Sequence, residues 1–154
     1  MTCRVIDKVI QMQLTKLLPS ILCGINKAFL PGERMVHSTL SLAEVARYAH
    51  RKSGGAIMSI DLGKAYDRCD IRFLREVLRA MHFPEVFIGV VDTMYNDMWA
   101  RLKVNGHIGD AFQQRNGLRQ GLPSSCPLWL LYIEPLVRGL RDDKDLKGIT
   151  IPGE

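Results

Sequence analysis

Cysteine and histidine are few in this sequence, and neither forms a metal-binding pattern. The four cysteines, Cys3, Cys23, Cys69 and Cys126, lie far apart, and none belongs to a C-x-x-C pair or has a histidine at zinc-ligand spacing. The four histidines are scattered as well. These absences exclude the common zinc modules and favour reduced thiols in an intracellular protein.

Long apolar segments are also lacking. The N-terminal residues carry charges throughout and have no apolar core of a secretory signal. The most apolar run, residues 126–137, contains Glu134 and Pro135 and is too short to span a bilayer. We therefore expect no membrane association and a location in the nucleus or the cytoplasm.

The composition is that of a folded protein with a moderate excess of basic residues. Of the 154 residues, 47% are hydrophobic and 24% are charged, which argues against disorder as the dominant state. Lysine and arginine total 21 against 16 aspartate and glutamate residues, a net charge of +5. This charge suits a polyanionic partner but does not require one.

Periodicity predicts helices mixed with strands, that is, an α/β or α+β fold. The apolar spacing predicts helices over residues 5–22, 38–53, 70–81, 84–98 and 127–140. Ser38 and Asp70 are the predicted N-caps, and Pro135 should kink the last helix. The apolar run AIMSID, residues 56–61, predicts a buried strand, and residues 145–154 are typical of the beginning of another.

A β-hairpin is predicted around residues 100–112. In ARLKVNG, Leu102 and Val104 face one way, whereas Arg101 and Lys103 face the other. The following Asn105-Gly106 pair is a strong signal for a two-residue hairpin turn.

The first candidate chemical site lies in SIDLGKAYDR, residues 59–68. Asp61 follows the predicted buried strand, so its carboxylate must be paired, protonated or bound to a cation. The end of a strand beside a helix is also a common ligand site in α/β proteins. A helix cap or a salt bridge to Lys64 or an arginine would account for Asp61 equally well.

The second candidate site is the loop NGLRQGLPSS, residues 116–125. Gly117 and Gly121 permit a close backbone approach, Arg119 offers a guanidinium to phosphate, and Gln120 can position a polar group. The glycine spacing is not that of a P-loop. By itself this loop is a weak signal.

One predicted helix carries a stripe of arginines. Arg72, Arg75 and Arg79 lie on one side of the helix over residues 70–81, opposite its apolar face. This stripe is either an ordinary solvated surface or a phosphate-contacting one.

Taken in order, four segments of the chain resemble the reverse transcriptases of non-LTR (LINE-like) retrotransposons. SIDLGKAYDRCDIRFL is similar to motif A of that family, and GLRQGLPSS is similar to motif B, usually Arg-Gln-Gly-Cys-Pro-Leu-Ser-Pro. INKAFLPGERM resembles the upstream fingers motif, and LYIEPLVRGLR resembles the helix after motif B. The resemblance covers almost all of the chain.

The resemblance implies an RNA-directed DNA polymerase, a nucleotidyltransferase that acts on an RNA template, a DNA primer and deoxynucleoside triphosphates with two Mg²⁺ ions. Asp61 would be the motif A metal ligand, and the backbone carbonyl of Leu62 would be a further oxygen ligand. Asp67 would hold the loop rather than bind metal.

The resemblance also assigns nucleotide and nucleic-acid contacts. Tyr66 would lie under the incoming sugar and exclude a 2′-hydroxyl by its bulk. Arg119, Gln120 and Gly121 would position the nucleotide and the template, and Arg34 would belong to the fingers surface near them.

The sequence departs from the family pattern in several places. The second acidic motif, a hairpin with two adjacent aspartates, has no counterpart, because Asp142-Asp143 lies in a charged, turn-like stretch that we assign to solvent. Leu122 replaces the usual motif B cysteine, and Glu33 stands where the fingers motif usually has arginine. We therefore expect no polymerase activity from the isolated chain.

The expected architecture is the fingers and palm of a right-hand polymerase, truncated before the catalytic Asp-Asp hairpin. Fingers would comprise residues 1–53 and 84–118, and palm would comprise residues 54–83 with motif A and 119–154 with motif B. Two alternatives remain open at this point: a non-catalytic nucleic-acid-binding module, or a decayed retroelement relic that folds poorly.

Overall fold

The computed structural model describes residues 2–30, 32, 34–51 and 56–149. These residues form five helices and one antiparallel hairpin, in agreement with the predicted mixture of helices and strands. In chain order the elements are α1 (Thr2–Ile21), α2 (Met35–Arg51), α3 (Ile71–Ala80), α4 (Glu85–Tyr95), β1 (Met98–Val104), β2 (His107–Gln114) and α5 (Ser125–Asp142).

Four of the helices enclose the hydrophobic core. α3 packs against both α4 and α5, and α1 packs against α5. Each helix contributes an apolar stripe at helical spacing. The fully buried side chains include Leu14 and Leu18 from α1, Leu74 and Leu78 from α3, Ile88 and Val91 from α4, and Leu128 and Leu131 from α5.

α3 begins where the sequence predicted. The Asp70 carboxylate accepts hydrogen bonds from the backbone N–H groups of Arg72 at 2.8 Å and Phe73 at 3.4 Å, which are otherwise unpaired at a helix start. The Arg72 side chain reaches the same carboxylate at 3.3 Å. These contacts lower the pKa of Asp70, the side-chain hydrogen bond from Arg72 having the largest effect.

α2 lies at the periphery of the described structure. It forms as a helix, but none of its residues with a described side chain is buried, and Leu40 and Leu42 remain more than half exposed. Ser38 was predicted to cap this helix, but the helix begins earlier, at Met35. The predicted end near residues 53–55 lies outside the described residues.

The predicted hairpin is confirmed. Val104 pairs with His107 across a two-residue turn in which Asn105 and Gly106 both have positive φ, of 49° and 85°. This is the backbone twist that two-residue hairpins prefer. Between the Arg101–Ala111 and Lys103–Ile108 pairs, two residues of β2 lie opposite one residue of β1, which is a β-bulge.

The buried strand predicted at residues 56–61 is absent. Residues 56–62 have no regular secondary structure and are exposed, with Met58 at 80% and Ile60 at 64% exposure. A strand requires a hydrogen-bonding neighbour. Within the described part of the chain the only strands, β1 and β2, pair with each other. A strand is also absent from residues 145–149, and the rest of that predicted strand lies outside the described residues.

Candidate nucleotide site

The two segments singled out from the sequence lie against each other. Both the motif A-like loop after Asp61 and the Gly-rich loop before α5 contribute backbone groups to the contact. The Gly117 N–H donates to the Cys69 carbonyl and the Leu118 N–H donates to the Tyr66 carbonyl, each at 2.8 Å. Residues far apart in sequence are thus joined by main-chain hydrogen bonds.

Gly117 is required at this junction. Its φ is +102°, and a Cβ there would lie 3.0 Å from the Asp67 carbonyl oxygen and 3.2 Å from the Asp67 Cα. Both are backbone atoms that cannot rotate away, so only glycine permits this approach. The sequence-based expectation of close backbone approach is therefore met at Gly117.

A pocket of about 360 Å³ lies between the two segments. It is lined by Tyr66, Gln120, Gly121, Leu122, Ser125 and Cys126. Three of the residues predicted to contact a nucleotide, Tyr66, Gln120 and Gly121, thus share one pocket. Arg119 is next to it in sequence, and its side chain is exposed.

Tyr66 is held in this pocket by a hydrogen bond and by ring packing. Its hydroxyl donates to Cys126 Sγ at 3.4 Å, and its ring lies 5.6 Å from that of Trp129 between centroids. Burial, and secondarily the interaction with Cys126, raise the pKa of Tyr66 to about 12. At neutral pH the phenol is therefore uncharged and presents a hydroxyl to the pocket.

Gln120 and Arg119 are tied to their surroundings in different ways. The Gln120 amide donates to Asp67 Oδ1 at 3.1 Å, so Asp67 stabilises the loop, as expected. The Arg119 backbone carbonyl accepts a hydrogen bond from Ser125 Oγ at 2.6 Å. Its guanidinium makes no ion pair with any other described residue, which leaves it available to an anion.

Asp61 and Leu62 do not line this pocket. Both are exposed, and Asp61 makes no ion pair or hydrogen bond with another residue of the described ranges. The alternative that Asp61 caps a helix or pairs with Lys64 or an arginine is therefore wrong for the described residues. So is the premise of a buried strand end, because residues 56–62 have no paired strand beside them.

The donor set does not fit two magnesium ions. Across residues 2–30, 32, 34–51 and 56–149, no group of three or more His, Cys, Asp or Glu side chains could hold a metal ion. Asp61 alone supplies one carboxylate, whereas a divalent hard cation takes several oxygen ligands. These residues by themselves therefore do not form the metal site of a polymerase.

The three arginines of α3 are all neutralised by carboxylates. Arg72 pairs with Asp70 at 3.3 Å and Arg75 pairs with Asp92 at 3.3 Å. Arg79 pairs with Glu76 at 2.8 Å and with Glu85 at 3.0 Å. These ion pairs favour the solvated-surface interpretation of the stripe. Arg34, the predicted fingers contact, is exposed and distant in sequence from the pocket.

Asp7 and Tyr95, two buried residues that the sequence analysis did not single out, contact the serines at the pocket. Asp7 of α1 accepts hydrogen bonds from the hydroxyl and the N–H of Ser124, and the neighbouring Ser125 hydroxyl lies 3.2 Å from the Tyr95 hydroxyl. The sequence contained a signal for this contact, since Asp7 precedes the buried Leu14 and Leu18 by about two and three helical turns on the same stripe.

Glu134 and Arg138 of α5 bind the C-terminal end of α1. Glu134 is fully buried, and its Oε1 accepts from the Cys23 N–H at 2.6 Å and from Arg138 Nε at 2.8 Å. Arg138 also donates to the Ile21 carbonyl. An otherwise unpaired N–H and C=O at the helix end are thereby satisfied. A glutamate inside the most apolar run of the chain was the signal for this contact.

The comparison with known families identifies the class of protein to which this site belongs. The sequence model described as reverse transcriptase (RNA-dependent DNA polymerase) matches residues 1–151. The chain therefore belongs to the reverse transcriptase family, and the resemblance to the non-LTR retrotransposon type is confirmed.

Two relatives come from transposable elements. The chain is 29% identical over 149 residues, 96% of its length, to the transposon TX1 uncharacterized 149 kDa protein of Xenopus laevis. It is 27% identical over 116 residues, 75% of its length, to the retrovirus-related Pol polyprotein from type-2 retrotransposable element R2DM of Drosophila melanogaster. It spans 11% of the length of each. No helix within the described residues is long and apolar enough to cross a membrane.

Proposed function

We propose that this chain is part of an RNA-directed DNA polymerase of a non-LTR retrotransposon and provides its nucleotide-facing pocket. The observation that carries the proposal is the junction of the two loops, in which Tyr66, Gln120 and Gly121 line one pocket. Arg119 precedes Gln120 in the same loop, and its guanidinium makes no ion pair with the other described residues. An aromatic ring, an amide and a guanidinium suit a sugar, a base and a phosphate, respectively.

The described residues do not bring together enough carboxylates for the metal site of a polymerase. We propose that Asp61, exposed and unpaired in the described structure, meets further acidic residues supplied by another segment of a longer protein. The 11% span of both relatives supports this fragment status. Residues 1–53 and 84–118 would then be fingers, and residues 54–83 and 119–154 would be palm.

Two measurements test this proposal. We expect the purified 154-residue chain to bind an RNA template annealed to a DNA primer with strong salt dependence, because phosphate contacts release counterions. We expect no primer extension, with or without Mg²⁺. Extension that disappears in Asp61→Ala would contradict the fragment status, and no binding at low salt would contradict the nucleic-acid function.

The transcript provides a second test of the fragment status. Sequencing downstream of the codon for Glu154 should find, in frame, an apolar hairpin with adjacent aspartates. A stop codon in the mature message directly after Glu154 would exclude catalysis by this polypeptide. Binding without catalysis would then remain as the function.

A further inference from the structure

The two faces of the β1–β2 hairpin differ in chemistry. Directly paired residues share a face. One face, here called the Trp99 face, comprises Trp99, Arg101 and Lys103 of β1 and Ile108, Ala111 and Gln113 of β2. The opposite face carries Leu102, Val104 and Phe112. One face therefore collects the tryptophan, the arginine and the lysine of the hairpin, whereas Phe112 and His107 lie on the other.

The two cations of the Trp99 face are available for binding. Arg101 and Lys103 are exposed, and neither makes an ion pair with another described residue, in contrast to the neutralised arginines of α3. Residues two apart on a strand lie about 7 Å from each other. The face thus presents two unpaired charges in a short row.

Trp99 adds a rigid aromatic surface to the same row. Its ring is 60% exposed, and its Nε1 donates to Asp97 Oδ1 at 2.8 Å. Gln113 donates to the same carboxylate at 3.3 Å. Asp97 thus fixes the orientation of both the Trp99 ring and the Gln113 amide. The other acid of the hairpin, Asp110, falls in the bulge.

The Trp99 face continues into a second pocket. Gln113, paired directly with Trp99, also lines a pocket of about 450 Å³ that includes Arg72, Arg75 and Arg115. Arg115 makes no ion pair within the described ranges. Among the described residues, Arg115 therefore adds a third unpaired cation next to the hairpin, whereas Arg72 and Arg75 in the same pocket are paired with Asp70 and Asp92.

We propose that the Trp99 face binds a single-stranded polynucleotide, with Arg101 and Lys103 on its phosphates and the Trp99 ring stacked on a base. Stacking on exposed aromatic rings beside a positively charged track is a general mode of single-strand recognition. The inference rests on the proposed function, since it presupposes a nucleic-acid ligand, but it assigns a surface outside the nucleotide pocket.

The roles of Arg101 and Lys103 are tested by comparing a variant that removes both charges with a control variant that loses two charges elsewhere. The purified chain is titrated with a labelled 12-nucleotide single strand, as RNA and as DNA, at several salt concentrations. R101Q/K103Q should weaken binding roughly tenfold and reduce the salt slope by about 1.4, the expectation for two phosphate contacts on a single strand. K144Q/K147Q removes two exposed lysines elsewhere and should leave the slope unchanged.

The stacking contact is tested by fluorescence. The chain has two tryptophans, so W129F leaves Trp99 as the only indole, and we expect its emission to be quenched on addition of the single strand. W99L in the otherwise unchanged chain should weaken binding by at least about fivefold. Trp99 and the two cations are exposed, so W99L and R101Q/K103Q should not disturb folding.

The outcomes separate the possible errors. Equal losses in R101Q/K103Q and K144Q/K147Q would overturn the assignment in favour of net charge alone. Unquenched Trp99, or displacement of the strand by polyglutamate as readily as by polyuridylate, would overturn it as well. If the unchanged chain binds no nucleic acid, the proposed function itself fails. If the unchanged chain binds the single strand and R101Q/K103Q binds it equally well, only this inference fails.

Discussion

The carboxylate of Asp7 in α1 binds Ser124, 117 residues further along the chain, through both the serine hydroxyl and its backbone N–H. Both residues are fully buried. Ser124 directly precedes α5 and is part of the Gly-rich loop that lines the candidate nucleotide pocket. The first helix of the chain therefore positions a loop whose own sequence gives no indication of that support.

Asp7→Ala should destabilise the protein by about 2–3 kcal/mol, because it leaves a buried hydroxyl and a buried N–H without their acceptor. Asp7→Asn keeps one acceptor oxygen and should cost less. Urea unfolding measures the free energy of unfolding of each variant. Glu44→Ala, at an exposed position of α2, is the control and should change it by less than about 0.5 kcal/mol.

Arg138→Ala tests the contact between α5 and the end of α1. The change leaves the buried Glu134 carboxylate with only the Cys23 N–H as a donor and frees the Ile21 carbonyl. We expect a loss of about 1–3 kcal/mol in the free energy of unfolding. Arg141→Ala on the same helix removes only an exposed pair with Asp142 and should be nearly neutral. Similar losses in both variants would contradict the prediction.

Gly117→Ala should weaken the junction of the two loops. The added Cβ would meet the backbone of Asp67 at 3.0 Å, and alanine is strained at a φ of +102°, so we expect a cost of about 1–3 kcal/mol. Gly139→Ala, inside α5 with open space around it, should instead stabilise the protein by about 0.5–1 kcal/mol. Thermal unfolding of the two variants should therefore shift in opposite directions.

Local signals in the sequence predicted most of the secondary structure. Asn105-Gly106 determined the hairpin, and Asp70 determined the start of α3, because each acts through hydrogen bonds within a few residues. The strand at residues 56–61 was predicted wrongly, since strand formation depends on a partner that composition cannot reveal. Residue propensities describe a single segment, whereas strand pairing requires a second segment that supplies hydrogen-bond partners.

The candidate site was predictable only in part. Family motifs indicated Tyr66, Gln120 and Gly121, and these do line one pocket. The contacts of Tyr66 with Cys126 and of Asp7 with Ser124 join residues from distant parts of the chain, and no spacing rule indicates such pairs. The sequence offered one signal for such contacts, a carboxylate on an otherwise apolar helical stripe. This signal occurs at Asp7 and at Glu134, which are both buried.

Asp70 should make stability depend on pH in the acid range. Its pKa is lowered in the folded protein, chiefly by the Arg72 side chain, so its stabilising contribution is fully present above the ordinary value of 3.8 and is lost as the pH falls through the lowered folded-state pKa. Asp70→Ala should cost about 1 kcal/mol at pH 7 through loss of the N-cap.

This difference between Asp70→Ala and the unchanged protein should shrink as the pH falls below 3.8, because protonation then weakens the same hydrogen bonds. Urea unfolding followed by circular dichroism between pH 7 and pH 3 measures it. Asp145→Ala, at an exposed residue after α5, is the matched control and should track the unchanged protein at every pH. A difference that grows on acidification would contradict the assignment of Asp70 as an ionised cap.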